Sequence, residues 1–243
     1  MGPADIISRP FSSLQSYVSF SLIREFYLYE TKWGDTMNKI NDSILPADFY
    51  QQPTLELAKS LLGCLIVKET ADGTASGFIV ETEAYIGPGD RAAHSFGNRR
   101  TKRTEVMFGN SGLIYTYVMH THTLVNVVSG GPENPEAILI RAIEPYSGLE
   151  LMQERRGIAD IHKWTDGPGK LTKALGITMD DYGRSFTDPP LYLAAGKKPG
   201  HISSGPRVGI DNSGEAKDYP WRFWVTDNPY ISRKNLIKNR GPK

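Results

Sequence analysis

Phe78-Ile79-Val80-Glu81-Thr82-Glu83-Ala84-Tyr85 is the stretch from which the fold is read. Its β-branched and aromatic residues mark a strand. A second run of the same kind, residues 64–69, precedes it across the turn-rich Ala71-Asp72-Gly73-Thr74. Upstream, Pro53-Thr54 opens an apolar stripe at helical spacing (Leu55, Leu57, Ala58, Leu61, Leu62) that Gly63 closes, which predicts a short helix. Downstream, residues 113–119 and 137–143 read as strands, 149–156 as a helix, and 171–175 as another after the Gly167-Pro168-Gly169 turn. Residues 191–194, 206–210 and 222–225 read as the last strands. Strands outnumber helices and do not alternate with them, which disfavours a parallel βαβ sheet. The prediction is an α+β fold: one domain around a mostly antiparallel, curved β-sheet with peripheral helices. No G-x-G-x-x-G or phosphate-loop pattern occurs, which argues against a nucleotide cofactor.

The chain has 243 residues, with 28 Lys and Arg against 27 Asp and Glu, a net charge of +1. A uniformly basic protein is excluded; a local basic face is not. Mean hydropathy of −0.38 excludes a multi-span membrane protein. The single cysteine, Cys64, can form neither an intramolecular disulfide nor a Cys-rich metal site, so a reducing, cytoplasmic setting is expected. Residues 1–43 are rich in Ser and aromatics without clean periodicity, and Arg24 and Glu25 break their only apolar stretch. They read as a poorly ordered extension to a working domain of residues 44–243, and initiation at Met37 would account for them.

Glu81, Glu83 and Tyr85 alternate onto one face of the strand, with Val80, Thr82 and Ala84 on the other. Two carboxylates at i and i+2 can perturb each other as acid/base chemistry requires. Taken alone, the pattern also fits two solvent-facing acids on an edge strand. Tyr115, Tyr117 and Met119 share a face as a possible aromatic platform, and His120 and His122 could hold a metal with Glu83 or His94. Arg91, Arg99, Arg100, Lys102 and Arg103 form a run with no acid between Asp90 and Glu105, suited to phosphate contacts. A second basic run, from Arg233 to Lys243, reads as a solvated tail.

These clusters together resemble the mammalian-type 3-methyladenine (alkyladenine) DNA glycosylase family, as distinct from the helix-hairpin-helix glycosylases. The resemblance is carried by Ile79-Val80-Glu81-Thr82-Glu83-Ala84-Tyr85, Gly87-Pro88, Ala92-Ala93-His94-Ser95 and residues 99–103. It continues through Tyr115-Thr116-Tyr117, Leu139-Ile140-Arg141-Ala142-Ile143-Glu144-Pro145, Gly167-Pro168-Gly169-Lys170-Leu171 and Arg207-Val208-Gly209. It implies a monofunctional, monomeric glycosylase of base excision repair, acting on double-stranded DNA that contains damaged purines, with no cofactor, metal or membrane. Its setting would be the bacterial cytosol or, in a eukaryote, the nucleus. By the same resemblance, Glu83 is the general base that activates water, Arg141 and a backbone carbonyl at Val208 hold that water, and Tyr85 and Tyr117 sandwich the flipped base. His94 closes that stack and hydrogen-bonds the base. Asn126 hinders normal guanine, and Arg99, Thr101 and Arg103 face phosphates. The lesions implied are 3-methyladenine, 7-methylguanine and hypoxanthine, with stacking on electron-rich rings favouring the cationic alkylpurines. Where the family often shows Tyr-Gly-Met-Tyr this chain has His120-Thr121-His122-Thr123 and is one residue shorter before Asn126, so the DNA wedge is Met119 or His120. Two other readings remain: a metal-dependent hydrolase using His120, His122 and Glu83, and a nucleic-acid-binding module without catalysis.

Overall fold

The protein is described by a computed structural model that covers residues 44–232. The readings of residues 1–43, of Met37 and of the basic run beginning at Arg233 lie outside the described residues.

Among the described residues eight strands form one sheet in which every pairing is antiparallel. They are β1 (Leu65–Thr70), β2 (Gly73–Tyr85), β3 (Ile114–Met119), β4 (His122–Ser129), β5 (Glu136–Ser147), β6 (Leu191–Ala194), β7 (Ile202–Gly205) and β8 (Arg222–Val225). Among the described residues three α-helices accompany them: α1 (Thr54–Ser60), α2 (Leu149–Arg156) and α3 (Pro168–Leu175). The spatial order runs β3-β4-β5-β2-β1-β6, and the β7–β8 hairpin joins through β8 to β2. β2 is the axis. One edge pairs with β5 along most of its length; the other pairs first with β1 (Gly73 to Phe78) and then with β8 (Glu81 to Glu83). The two glutamates therefore sit where the sheet forks.

Alternation along the strands separates two interiors. Ile114, Val125, Val127, Ile138 and Ile140 belong to the main core, with Leu57, Ala58, Leu171 and Leu175 of the helices. Tyr115, Tyr117, Leu124, Val128, Ala137 and Leu139, their immediate neighbours in sequence, form a second cluster on the opposite face. With both faces covered, the strands read as near-continuous apolar runs. The helices are pinned by hydrogen bonds as well as by their apolar faces. Thr82 Oγ1 donates to the Ala58 carbonyl at 2.8 Å, and Thr172 Oγ1 donates to the Thr123 carbonyl at 2.6 Å. Gly63, at φ 87°, ends the turn after α1, where a Cβ would lie 1.9 Å from the Lys197 carbonyl oxygen.

The α+β fold around a mostly antiparallel sheet is observed, with three differences. First, β4 does not show in the sequence. Its turn, His120-Thr121, takes positive φ at both residues (47° and 70°), as a type I′ hairpin requires, without the usual Asn-Gly signal. Second, residues 206–210 are not a strand; the strand is β7 just upstream. Pro206 lacks a donor and Gly209 adopts φ 78°, so the chain turns away from the sheet and becomes a loop. Third, β2 carries a bulge between Ile79 and Thr82. It moves Val80 out of the set containing Thr82 and Ala84 and packs it against Ala142 and Ile231. Among the described residues, no helix is long and apolar enough to cross a membrane.

Candidate active site

From the bulge onward, β2 directs Glu81, Glu83 and Tyr85 to the side away from the helices, where Arg141 of β5 meets the two glutamates. Both glutamates are fully buried, which overturns the solvent-facing reading. Their surroundings give them different work. The Glu81 carboxylate accepts from Arg141 Nε at 2.9 Å, Arg222 Nε at 2.8 Å, the Ser232 N–H at 2.6 Å and Ser232 Oγ at 2.8 Å. All four of these partners are donors. The Glu83 carboxylate accepts from Tyr85 Oη at 2.9 Å, Arg141 Nη1 at 3.2 Å and the Val208 N–H at 2.7 Å. Those three residues line a cavity of about 350 Å³. Glu83 thus lies one hydrogen-bond layer behind the cavity wall, with its charge held in place by the groups that form the wall.

The cavity is walled by the pocket-facing residues of β3, β4 and β5, by the segment after β2, and by the 208–213 loop. Tyr85, His94, Tyr117, Asn126, Arg141 and Val208, named from sequence as catalytic or base-contacting, all border it. So do Tyr115 and Met119 of the expected aromatic platform. The His94 ring lies 4.6 Å from that of Tyr117 in an edge-on arrangement, and its Nδ1 is 2.7 Å from Tyr115 Oη. Asn126 Nδ2 donates to the Tyr115 carbonyl at 2.9 Å, which fixes the amide on the pocket floor.

Electrostatics follow from burial. Burial, together with the Arg103 and Arg99 cations, lowers His94 from 6.5 to about 4, so the imidazole is neutral at physiological pH. Burial and then the Glu83 carboxylate push the Tyr117 phenol up to about 12, and the same two causes push Tyr85 well above its ordinary value. Burial also raises Tyr115. The aromatic wall is therefore a set of neutral donors. Burial works against the charge on Arg141, but Glu83 and Glu81 outweigh it and hold the guanidinium protonated.

Met119 ends β3 on the cavity rim at 45% exposure, and His120 stands exposed beside it in the turn. Arg99, Thr101 and Arg103 are exposed on the loop that follows His94. Thr101 is drawn into a local turn, its backbone N–H donating to Thr104 Oγ1 at 2.9 Å. Arg100, read with them as part of one basic run, is neutralised: it pairs with Glu105 at 2.7 Å and Glu133 at 3.0 Å. The metal reading gains no ligand set, because among the described residues no three His, Cys, Asp or Glu side chains come together to hold an ion.

Sequence reasoning passed over a second buried charge pair. Arg207 Nη1 donates to Asp90 Oδ2 at 2.5 Å and Nη2 to Asp90 Oδ1 at 2.8 Å, both side chains at 0% exposure. Asp90 also accepts from the Ile86 and Ala92 N–H groups at 3.2 and 3.0 Å. The pair therefore ties the segment bearing His94 to the loop bearing Val208. Only the adjacency of Arg207 to Val208 and the Gly89-Asp90 turn pointed toward it; the 117-residue separation hid the pairing.

The model of the family described as methylpurine-DNA glycosylase (MPG) matches residues 48–229. A Bacillus licheniformis protein named "Putative 3-methyladenine DNA glycosylase" is 68% identical over 189 residues, 78% of this chain and 96% of its own. A Bacillus subtilis protein of the same name is also 68% identical over the same shares, and one from Listeria monocytogenes is 48% identical over 81% of this chain and 97% of its own. With the match spanning every wall of the cavity, the chain belongs to the methylpurine-DNA glycosylase family.

Proposed function

We propose that the cavity receives a damaged purine extruded from double-stranded DNA and that Glu83 drives hydrolysis of its N-glycosidic bond. The observation that carries this reading is a buried carboxylate held by Tyr85, Arg141 and Val208 behind an aromatic cavity. A water admitted with the nucleotide gives one proton to the Glu83 carboxylate while its oxygen bonds to C1′. The C1′–N bond breaks, and its electron pair leaves with the base. An N3- or N7-alkylated purine carries positive charge before cleavage and departs as a neutral molecule without further protonation. The sugar passes through an oxocarbenium-like state that a nearby carboxylate stabilises. Arg141 keeps Glu83 aligned by donating from Nη1 at 3.2 Å.

Tyr85 and Tyr117 supply the stacking faces. A Tyr115 hydroxyl donating to His94 Nδ1 leaves Nε2–H as the ring's donor toward the base, and the neutral imidazole accepts a cationic lesion without like-charge repulsion. The Asn126 amide, fixed against the Tyr115 carbonyl, obstructs the exocyclic amine of a normal guanine. Met119 is better suited than His120 to fill the gap left in the duplex, since it alone of the two both borders the cavity and projects into solvent. Arg99 and Arg103 face phosphates. 3-Methyladenine, 7-methylguanine and hypoxanthine are the lesions proposed, and the enzyme works as a monomer.

The test follows free base released from duplexes carrying each lesion. Glu83→Gln should abolish release while duplex binding persists. Release at wild-type rate in that variant overturns the mechanism.

A further inference from the structure

We propose that Arg207 is a positioning residue that sets lesion selectivity: stacked behind Tyr85, its guanidinium depletes the electron density of the face a purine meets and so levels the rates on cationic and neutral lesions. The inference rests on the reading of Tyr85 as a stacking wall.

The guanidinium carbon stands 4.6 Å from the centroid of the Tyr85 ring and 5.1 Å from that of Trp221, a cation clasped between two rings. Arg207 is wholly buried and does not border the cavity, whereas Tyr85 does. The cation therefore covers the ring from the protein side and leaves the other face to the ligand. Its position is fixed by the two bonds to Asp90 and by donation to the Ala84 and Ala216 carbonyls at 2.8 and 3.2 Å. Arg207 Nε is buried with no hydrogen-bond partner, so stacking contributes to the placement where hydrogen bonding does not.

An aromatic ring attracts a cation through the negative lobe of its quadrupole. A cation on one face draws on the electron density that a second cation, on the opposite face, would need. A neutral purine stacks by dispersion and area and loses little. The Asp90–Arg207 pair is neutral as a whole, so the effect is confined to short range and falls on the rings in contact. The same side chain also supports Glu83, because the next residue, Val208, donates its N–H to that carboxylate. Loss of that support slows every lesion alike, whereas loss of the electronic effect changes the ratio between lesions.

The experiment measures single-turnover release from two duplexes, one carrying 7-methylguanine and one hypoxanthine. Asp90→Asn combined with Arg207→Gln removes both charges so that neither is buried alone. Arg207→Lys keeps a cation. The double variant should raise the 7-methylguanine to hypoxanthine ratio roughly three- to tenfold, and Arg207→Lys should hold it within about twofold of the wild type. A parallel fall on both lesions at constant ratio overturns the proposal. Should the double variant fail to fold, Tyr85→Leu is compared with Tyr85→Phe on the intact ion pair, which isolates the ring from its hydroxyl. The ring's loss should then slow both lesions by factors that agree within about threefold, and a loss more than about tenfold greater for 7-methylguanine overturns the proposal. Base release that survives Glu83→Gln defeats the reading of the site; a constant ratio in an enzyme that needs Glu83 defeats the role of Arg207 alone.

Discussion

Glu81→Gln should unfold the protein's centre more than it harms its chemistry directly. The wild-type carboxylate accepts four hydrogen bonds at 2.6–2.9 Å from Arg141, Arg222 and Ser232, with no exposure to solvent. The amide that replaces it is neutral and brings an N–H2 group into a shell made only of donors. The two guanidinium groups lose the carboxylate that balances them, and a donor is driven against another donor. Breaking a buried pair in this way costs about 3–5 kcal/mol. For a domain of this size each kcal/mol lowers Tm by roughly 2–4 °C, so the midpoint should fall by about 6–20 °C. Thermal unfolding by circular dichroism, with guanidinium titration as a second probe, measures it. A midpoint within about 2 °C of the wild type refutes the reasoning, since Glu81 would then not be the electrostatic centre of the fork between β5, β2 and β8. Base release should fall as well, because Arg141 bridges Glu81 to Glu83.

His94 gives a pH prediction with a definite sign. Its folded value of about 4 lies below the unfolded 6.5, so the unfolded chain binds the proton more readily. The stability it contributes is complete above pH 6.5 and is lost as pH falls from there toward 4. The part-exposed ring limits the loss to about 1–3 kcal/mol, and His94→Asn should flatten this portion of the stability curve. In the nuclear magnetic resonance titration of the same ring, Arg103→Ala should move the midpoint upward; no movement contradicts the closeness of the two charges. Salt titration of duplex binding separates the basic residues. Arg103→Ala should reduce the slope of log affinity against log salt by about one, while Arg100→Ala, whose charge is already paired with Glu105 and Glu133, should leave it nearly unchanged.

How much could be read before folding is clearest at β2. Alternation placed Glu81, Glu83 and Tyr85 on one face, and the structure brings all three to Arg141 or to its partner Glu83. The same rule failed at Val80, because a bulge inserts a residue and no local signal marks it. The helix at Leu149–Arg156 and the strands at Leu191–Ala194 and Arg222–Val225 match their predicted bounds, each being a short run with clear punctuation. The hairpin of β3 and β4 was half seen, since its turn uses two residues that rarely accept positive φ.

By itself the sequence determined the class of fold, the residue types around the cavity and the family. Those depend on period, turn chemistry and motif order, which are local properties of the chain. Tertiary structure alone decided that Glu81 and Glu83 are buried against Arg141 rather than facing solvent, that Arg141 and Arg222 converge on Glu81, and that Arg207 stands behind Tyr85 locked to Asp90. Each of those is a pairing between residues far apart in the chain: Arg141 lies 60 residues from Glu81, and Arg207 117 from Asp90. Burial in a low-dielectric interior makes such pairings strong, and only the fold brings the partners within hydrogen-bond distance.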